Sequence, residues 1–110
     1  MNLLVTLAAL SGAIAVGAGA FGAHGADGQA REWLQTGGQY QLIHAVAALV
    51  AAKMGASGAG WAFLVGGALF AGTLYAMALG GPRWLGAVTP IGGTALIIGW
   101  LLLAWNGWRG

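Results

Sequence analysis

The chain has 110 residues, 59% of them hydrophobic and only 5% charged, with a formal net charge of +2. Soluble domains carry roughly 25% charged residues, so a water-soluble globule is excluded, and four cations against two anions make no basic stripe for nucleic acid. There is no cysteine, which excludes disulfides, thiolate metal sites and thiol catalysis.

The charged residues, Asp27, Arg31, Glu32, Lys53, Arg83 and Arg109, fall between or beside long apolar runs, where bilayer-spanning segments must surface. The first run, Leu3 to about Ala23, holds no charge and is long enough for a hydrocarbon core of roughly 30 Å. It lacks the basic start of a signal peptide and reads as an uncleaved helix. After His24 comes the one strongly polar stretch. There Asp27 suits a helix N-cap, Asp27 and Arg31 are spaced as an i,i+4 pair, and Trp33 suits an interfacial anchor, which predicts a short helix in the headgroup region or a loop.

Gly37 and Gly38 are expected to break that segment, with a second span from about Gly38 to Met54 that contains His44 and ends beside a snorkelling Lys53. The small residues from Gly55 to Gly60 read as a linker to a third span, from about Trp61 to Leu79, ended by Gly80, Gly81 and Pro82. A fourth span to about Asn106 starts at Thr89 as N-cap with Pro90 in the first turn, or near Leu85 with a kink at Pro90. Trp61, Trp84, Trp105 and Trp108 lie near span ends, as interfacial tryptophans do. The expected fold is all-α: a single domain over residues 1–110, a bundle of four transmembrane helices. Lys53 and Arg109 then oppose Arg31 and Arg83, a draw by the positive-inside count. The N-terminal amine, and the carboxylates beside Arg31, lean toward both termini in the cytoplasm.

Glycine occupies 22 positions, and in lipid small residues let helix backbones approach closely. In the third span Ala68, Gly72, Ala76 and Gly80 recur every four residues and are expected to form the packing groove, with Leu64 toward lipid. Ala9, Ala13 and Gly17 repeat the spacing in the first span, His44, Ala48, Ala52 and Ala56 in the second, and Ala95 and Gly99 in the fourth.

These residues fall in blocks that carry a resemblance. Gly19-Ala20-Phe21-Gly22-Ala23-His24-Gly25, Tyr40-Gln41 with His44, the run from Gly67 to Tyr75, Thr89-Pro90-Ile91-Gly92-Gly93 and Gly99-Trp100-Leu101 come in order along nearly the whole chain. The chain thus resembles the YgdD-like family of small bacterial inner-membrane proteins, also called domain of unknown function 423, which has distant mitochondrial relatives. The resemblance implies a four-helix multi-pass protein of the bacterial inner membrane, and no activity or catalytic residue.

The residues that could carry chemistry are few. An ionisable group within a span is by default a functional candidate, and His24 and His44 are the two histidines. One reading makes both neutral and hydrogen-bonded to backbone or to Gln39, Tyr40 or Gln41. Another makes His44 a proton- or ligand-responsive switch, which needs fewer partners than a haem or a metal site. Thr73 and Tyr75 are expected to make interhelical hydrogen bonds. The stretch from Thr89 to Thr94 reads either as an anion-binding helix start or as a cap followed by close helix contact. No paired carboxylates, serine relay or phosphate loop is present, so no enzyme, cofactor or metal is expected. The leading function is a structural or accessory membrane protein, a homo-oligomer or companion of a larger complex. The rival is a permeation protein with Tyr40, Gln41, His44 and Thr73 along its path.

Overall fold

A computed structural model describes residues 1–110 as four long α-helices: α1 Leu3–Gly25, α2 Gly28–Lys53, α3 Ser57–Ala78 and α4 Thr89–Arg109. A short 3-10 helix, Arg83–Ala87, leads into α4. Local interactions account for three of the helix ends. Asn2 caps α1, its side-chain oxygen accepting the Val5 N–H at 3.1 Å. Gly55 (φ 76°) and Gly80 (φ 100°) close α2 and α3 in the left-handed conformation that glycine adopts without strain. Each is followed by a bond that reaches back into the last turn, Ala56 N–H to Ala51 C=O at 2.8 Å and Gly81 N–H to Ala76 C=O at 2.7 Å.

Three expectations about the elements are corrected. Gly37 and Gly38 do not break the chain, and no separate interfacial helix exists: residues 28–53 form one helix. The glycine pair serves close packing instead: a Cβ on Gly37 would meet the Tyr75 ring at 2.7 Å, and one on Gly38 would meet the Ala15 carbonyl oxygen at 2.9 Å. Ser57–Gly60 belong to α3 instead of to a linker. Finally, Val88 holds the N-cap position of α4, while Thr89 turns its hydroxyl back to the Leu85 carbonyl.

Short connections make neighbouring helices antiparallel, and α1 packs on α2, α2 on α3 and α3 on α4. Small residues set the spacing. A Cβ built on Gly38 of α2 would stand 2.9 Å from the Ala15 carbonyl oxygen of α1, and one on Gly92 of α4 would stand 2.5 Å from the Phe70 nitrogen of α3. These backbones meet at distances that no side chain permits. At one end Phe63 is completely buried against Ala8, Ala47, Ala48, Ala51, Ala56 and Ala59.

The groove expected on α3 is turned outward. Ala68, Gly72 and Gly80 are exposed, Ala76 is half-buried, and nothing lies within 4 Å of a Cβ on Gly72, whereas Leu64 is buried. The α1 stripe is likewise displaced: Ala9, Ala13 and Gly17 are exposed while Leu4, Ala8, Ser11 and Ala15 face the protein. On α2 the expected face is kept, with His44 and Ala48 buried and Ala52 half-buried, while Ala56, also buried, lies past the helix end at the N-cap of α3; on α4 Gly99 is buried beside a half-buried Ala95.

Most large apolar side chains point away from the protein, among them Ile14, Val46, Val65, Ile97 and Leu101. Three helical segments, Leu3–His24, Ser57–Ala78 and Arg83–Arg109, are long and apolar enough to cross a membrane. α2 does not reach that level, because Gln29, Arg31, Glu32, Gln35, Thr36 and Gln39 crowd its first half.

Candidate functional site

The interior polar groups form two sets centred on α2. One starts from Gln41, which the α2 spacing places on the same buried face as His44. Its Nε2 donates to Ser11 Oγ of α1 at 2.9 Å, and its Oε1 accepts the Tyr75 hydroxyl of α3 at 2.6 Å. One amide thus uses a donor and its acceptor to tie three helices.

The second set is built on His44. Its Nδ1 lies 2.7 Å from the Tyr40 carbonyl oxygen, one turn back, and its Nε2 lies 3.0 Å from Trp100 Nε1 of α4. An indole nitrogen only donates and a carbonyl only accepts. The hydrogen bonds therefore assign the tautomer: Nε2 is the bare acceptor, Nδ1 carries the proton, and the ring is neutral. Aromatic rings enclose it. Tyr40 is stacked at 6.2 Å, Phe63 is tilted at 5.7 Å and Trp100 meets it edge-on at 5.8 Å. A third link joins α3 to the start of α4, where the Thr73 and Thr89 hydroxyls lie 2.6 Å apart. No buried side-chain nitrogen or oxygen lacks a hydrogen-bond partner.

The expected residues thus divide. Gln41, His44, Thr73, Tyr75 and Thr89 are brought into interhelical hydrogen bonds. Tyr40 serves His44 with its carbonyl and its ring face, while remaining 46% exposed. His24 is exposed at the end of α1, away from His44, and no group of three or more histidine and carboxylate side chains gathers that could hold a metal. Arg31 does not turn to Asp27. It donates to the Ala23 carbonyl, one of the unpaired carbonyls that end α1, where the helix dipole favours a cation. The Thr89–Thr94 stretch is a helix contact: a Cβ on Gly92 would stand 2.8 Å from the Phe70 Cα and 2.9 Å from the Gly66 carbonyl oxygen.

Two partners escaped the sequence reading. Trp100 had a legible signal, since it sits mid-span, unlike the tryptophans near span ends, where an indole N–H has no headgroup or water to donate to and needs an acceptor within the protein. Ser11 had little signal, because a single hydroxyl among small residues in α1 does not announce its face.

A bundle with apolar side chains turned outward and polar ones paired inward is a helical membrane protein. The chain belongs to the family described as protein of unknown function (DUF423), which matches residues 18–93. It is 41% identical to the UPF0382 membrane protein YwdK of Bacillus subtilis over 115 residues, covering 94% of each chain. It is also 38% identical to a UPF0382 membrane protein of Haemophilus influenzae, covering 98% of this chain and 95% of that relative. No solved structure matches the chain.

Proposed function

We propose that all four helices cross the bacterial inner membrane, and that the protein is a non-enzymatic structural or accessory component, working through helix contacts as a homo-oligomer or as companion to a larger membrane complex. The observation that carries this reading is the pairing of the interior polar groups within the protein: Gln41 bonds Ser11 and Tyr75, His44 bonds Trp100 and the Tyr40 carbonyl, and no buried side-chain nitrogen or oxygen is without a partner. A permeation path along Gln41, His44 and Thr73 would need those groups free.

The span assignment of α2 is supported by its register with α1. Contacts run from Arg31 with Ala23, through Leu34 with Gly22 and Gly38 with Ala15, to Ala45 with Gly12. A helix aligned along the length of an apolar span shares the same slab. The first turns of α2, with Gln29, Arg31 and Glu32, then emerge at the headgroup level, and Gln41 and His44 lie within the hydrocarbon with hydrogen-bond partners in the protein. The exposed Ala68 and Gly72 leave a flat face on α3 for a neighbouring helix.

Because the chain has no cysteine, single cysteines can report topology. Gln29→Cys and Met54→Cys should react with an impermeant maleimide from opposite sides of the membrane; reaction from one side refutes the crossing of α2. Mild-detergent extraction should return a homo-oligomer or a fixed-ratio complex. A solitary monomer that supports solute flux in proteoliposomes would overturn the accessory reading.

A further inference from the structure

At the end of the bundle where α3 finishes and α4 begins, an open depression of about 450 Å³ lies between α2, α3 and the 3-10 helix. Its wall has a polarity gradient. Phe70, Leu74 and Met77 lie on one face of α3, ordered from inside the span toward its end, and Pro90 of α4 adds a further apolar surface. Just beyond the end of α3 stands Arg83, whose guanidinium carbon is 5.8 Å from the centre of the Trp33 ring. A cation near an aromatic face is attracted by the ring's π-electrons, a contact that uses none of the guanidinium's N–H donors.

We propose that this depression binds one anionic phospholipid, its phosphate on the Arg83 N–H groups and one acyl chain along Phe70, Leu74 and Met77. The proposal rests on the reading that this end of the bundle lies at the membrane surface. Three features single out the occupant. The wall passes from apolar to cationic in the direction in which a lipid passes from chain to headgroup. The lining holds one cation and no carboxylate, so the ammonium of a zwitterionic headgroup finds no counter-charge there. An inorganic phosphate would reach Arg83 but draw nothing from the apolar wall. Basic pockets at span ends are a recurrent way to hold anionic headgroups.

The test uses the full chain in a mild detergent, titrated with phosphatidylglycerol, phosphatidylcholine or inorganic phosphate, and followed by native mass spectrometry and unfolding temperature. Phosphatidylglycerol should bind one per chain, saturably, and raise the unfolding temperature; phosphatidylcholine should bind more weakly and phosphate should have no effect. Arg83→Ala should weaken phosphatidylglycerol binding about tenfold, the loss expected of a charge-assisted contact. Arg83→Lys should retain part of the affinity, and Arg109→Ala, at the opposite end, all of it. Should Arg83→Ala fail to fold, Gly86→Leu serves: a Cβ there meets Met77 at an ordinary 3.8 Å, and the longer side chain fills the depression with Arg83 intact. Equal binding of phosphatidylcholine, the same protection by phosphate alone, or undiminished phosphatidylglycerol binding by Arg83→Ala or Gly86→Leu would each overturn the proposal. Binding in detergent is read independently of topology, so cysteine labelling at residues 29 and 54 tells a failed lipid site from a failed four-span reading.

Discussion

The hydrogen bond from Trp100 to His44 crosses from α4 to α2, and replacing Trp100 by phenylalanine removes the donor while keeping an aromatic ring. Interhelical hydrogen bonds in membranes contribute roughly 0.6 kcal/mol on average and up to about 1.7 kcal/mol. His44 is only 6% exposed, so its bare Nε2 finds no ready replacement, and this bond belongs at the upper end. Loss of the larger indole surface, whose ring lies 4.7 Å from Phe63, adds about 0.5 kcal/mol, giving a total of about 2 kcal/mol. The assay is reversible unfolding in mixed micelles for wild type, Trp100→Phe, His44→Ala and the double variant. The double-mutant cycle should return a coupling of about 1 to 1.5 kcal/mol. A ring that takes up a second proton loses the Nε2 lone pair, so the coupling should vanish in that state, which nitrogen NMR of the imidazole identifies. Additive single effects, or NMR showing the proton on Nε2 in the neutral ring, would refute the assigned tautomer and the bond.

Gln41→Leu leaves the Ser11 and Tyr75 hydroxyls without their partner and should cost about 1 to 3 kcal/mol in the same unfolding assay. Tyr40→Phe should leave the His44 hydrogen bond unchanged, since that bond uses the Tyr40 carbonyl; loss of the imidazole NMR signature would contradict this. Gly92→Ala drives a methyl into the Phe70 backbone and should destabilise the chain by about 1 to 3 kcal/mol, whereas Gly72→Leu should leave monomer stability unchanged. If the exposed α3 face meets a neighbour, Gly72→Leu should instead lower the oligomer mass in mild detergent, measured by light scattering. Asn2→Ala should cost about 1 kcal/mol through the lost N-cap of α1, read from the unfolding midpoint.

The apolar runs, broken by few charges, were enough to establish a helical membrane protein, the approximate ends of its helices other than the start of α2, and the inward face of His44. Membrane composition acts through solvation, which is local along the chain: an apolar stretch of sufficient length seeks lipid whatever its neighbours are. The Gly55 and Gly80 stops were legible for the same reason, being set by backbone conformation within one turn. What lay beyond the sequence was which face meets which helix. Glycine and alanine are so frequent that small residues recur every four positions on several faces, and with apolar residues all round there is no polar side to orient a helix. Only the assembled bundle distinguishes the exposed Ala68 and Gly72 from the buried Gly66 and Gly92, or the exposed Ala9 from the buried Ala8. The same holds for the polar partners. Gln41 was a visible candidate, but its pairing with Ser11 and Tyr75 joins residues 30 and 34 positions away, and Trp100 stands 56 positions from His44. Such pairs are chosen by the register of packed helices, in which a polar atom in a medium without water is satisfied by whatever donor or acceptor the neighbouring backbone brings within reach.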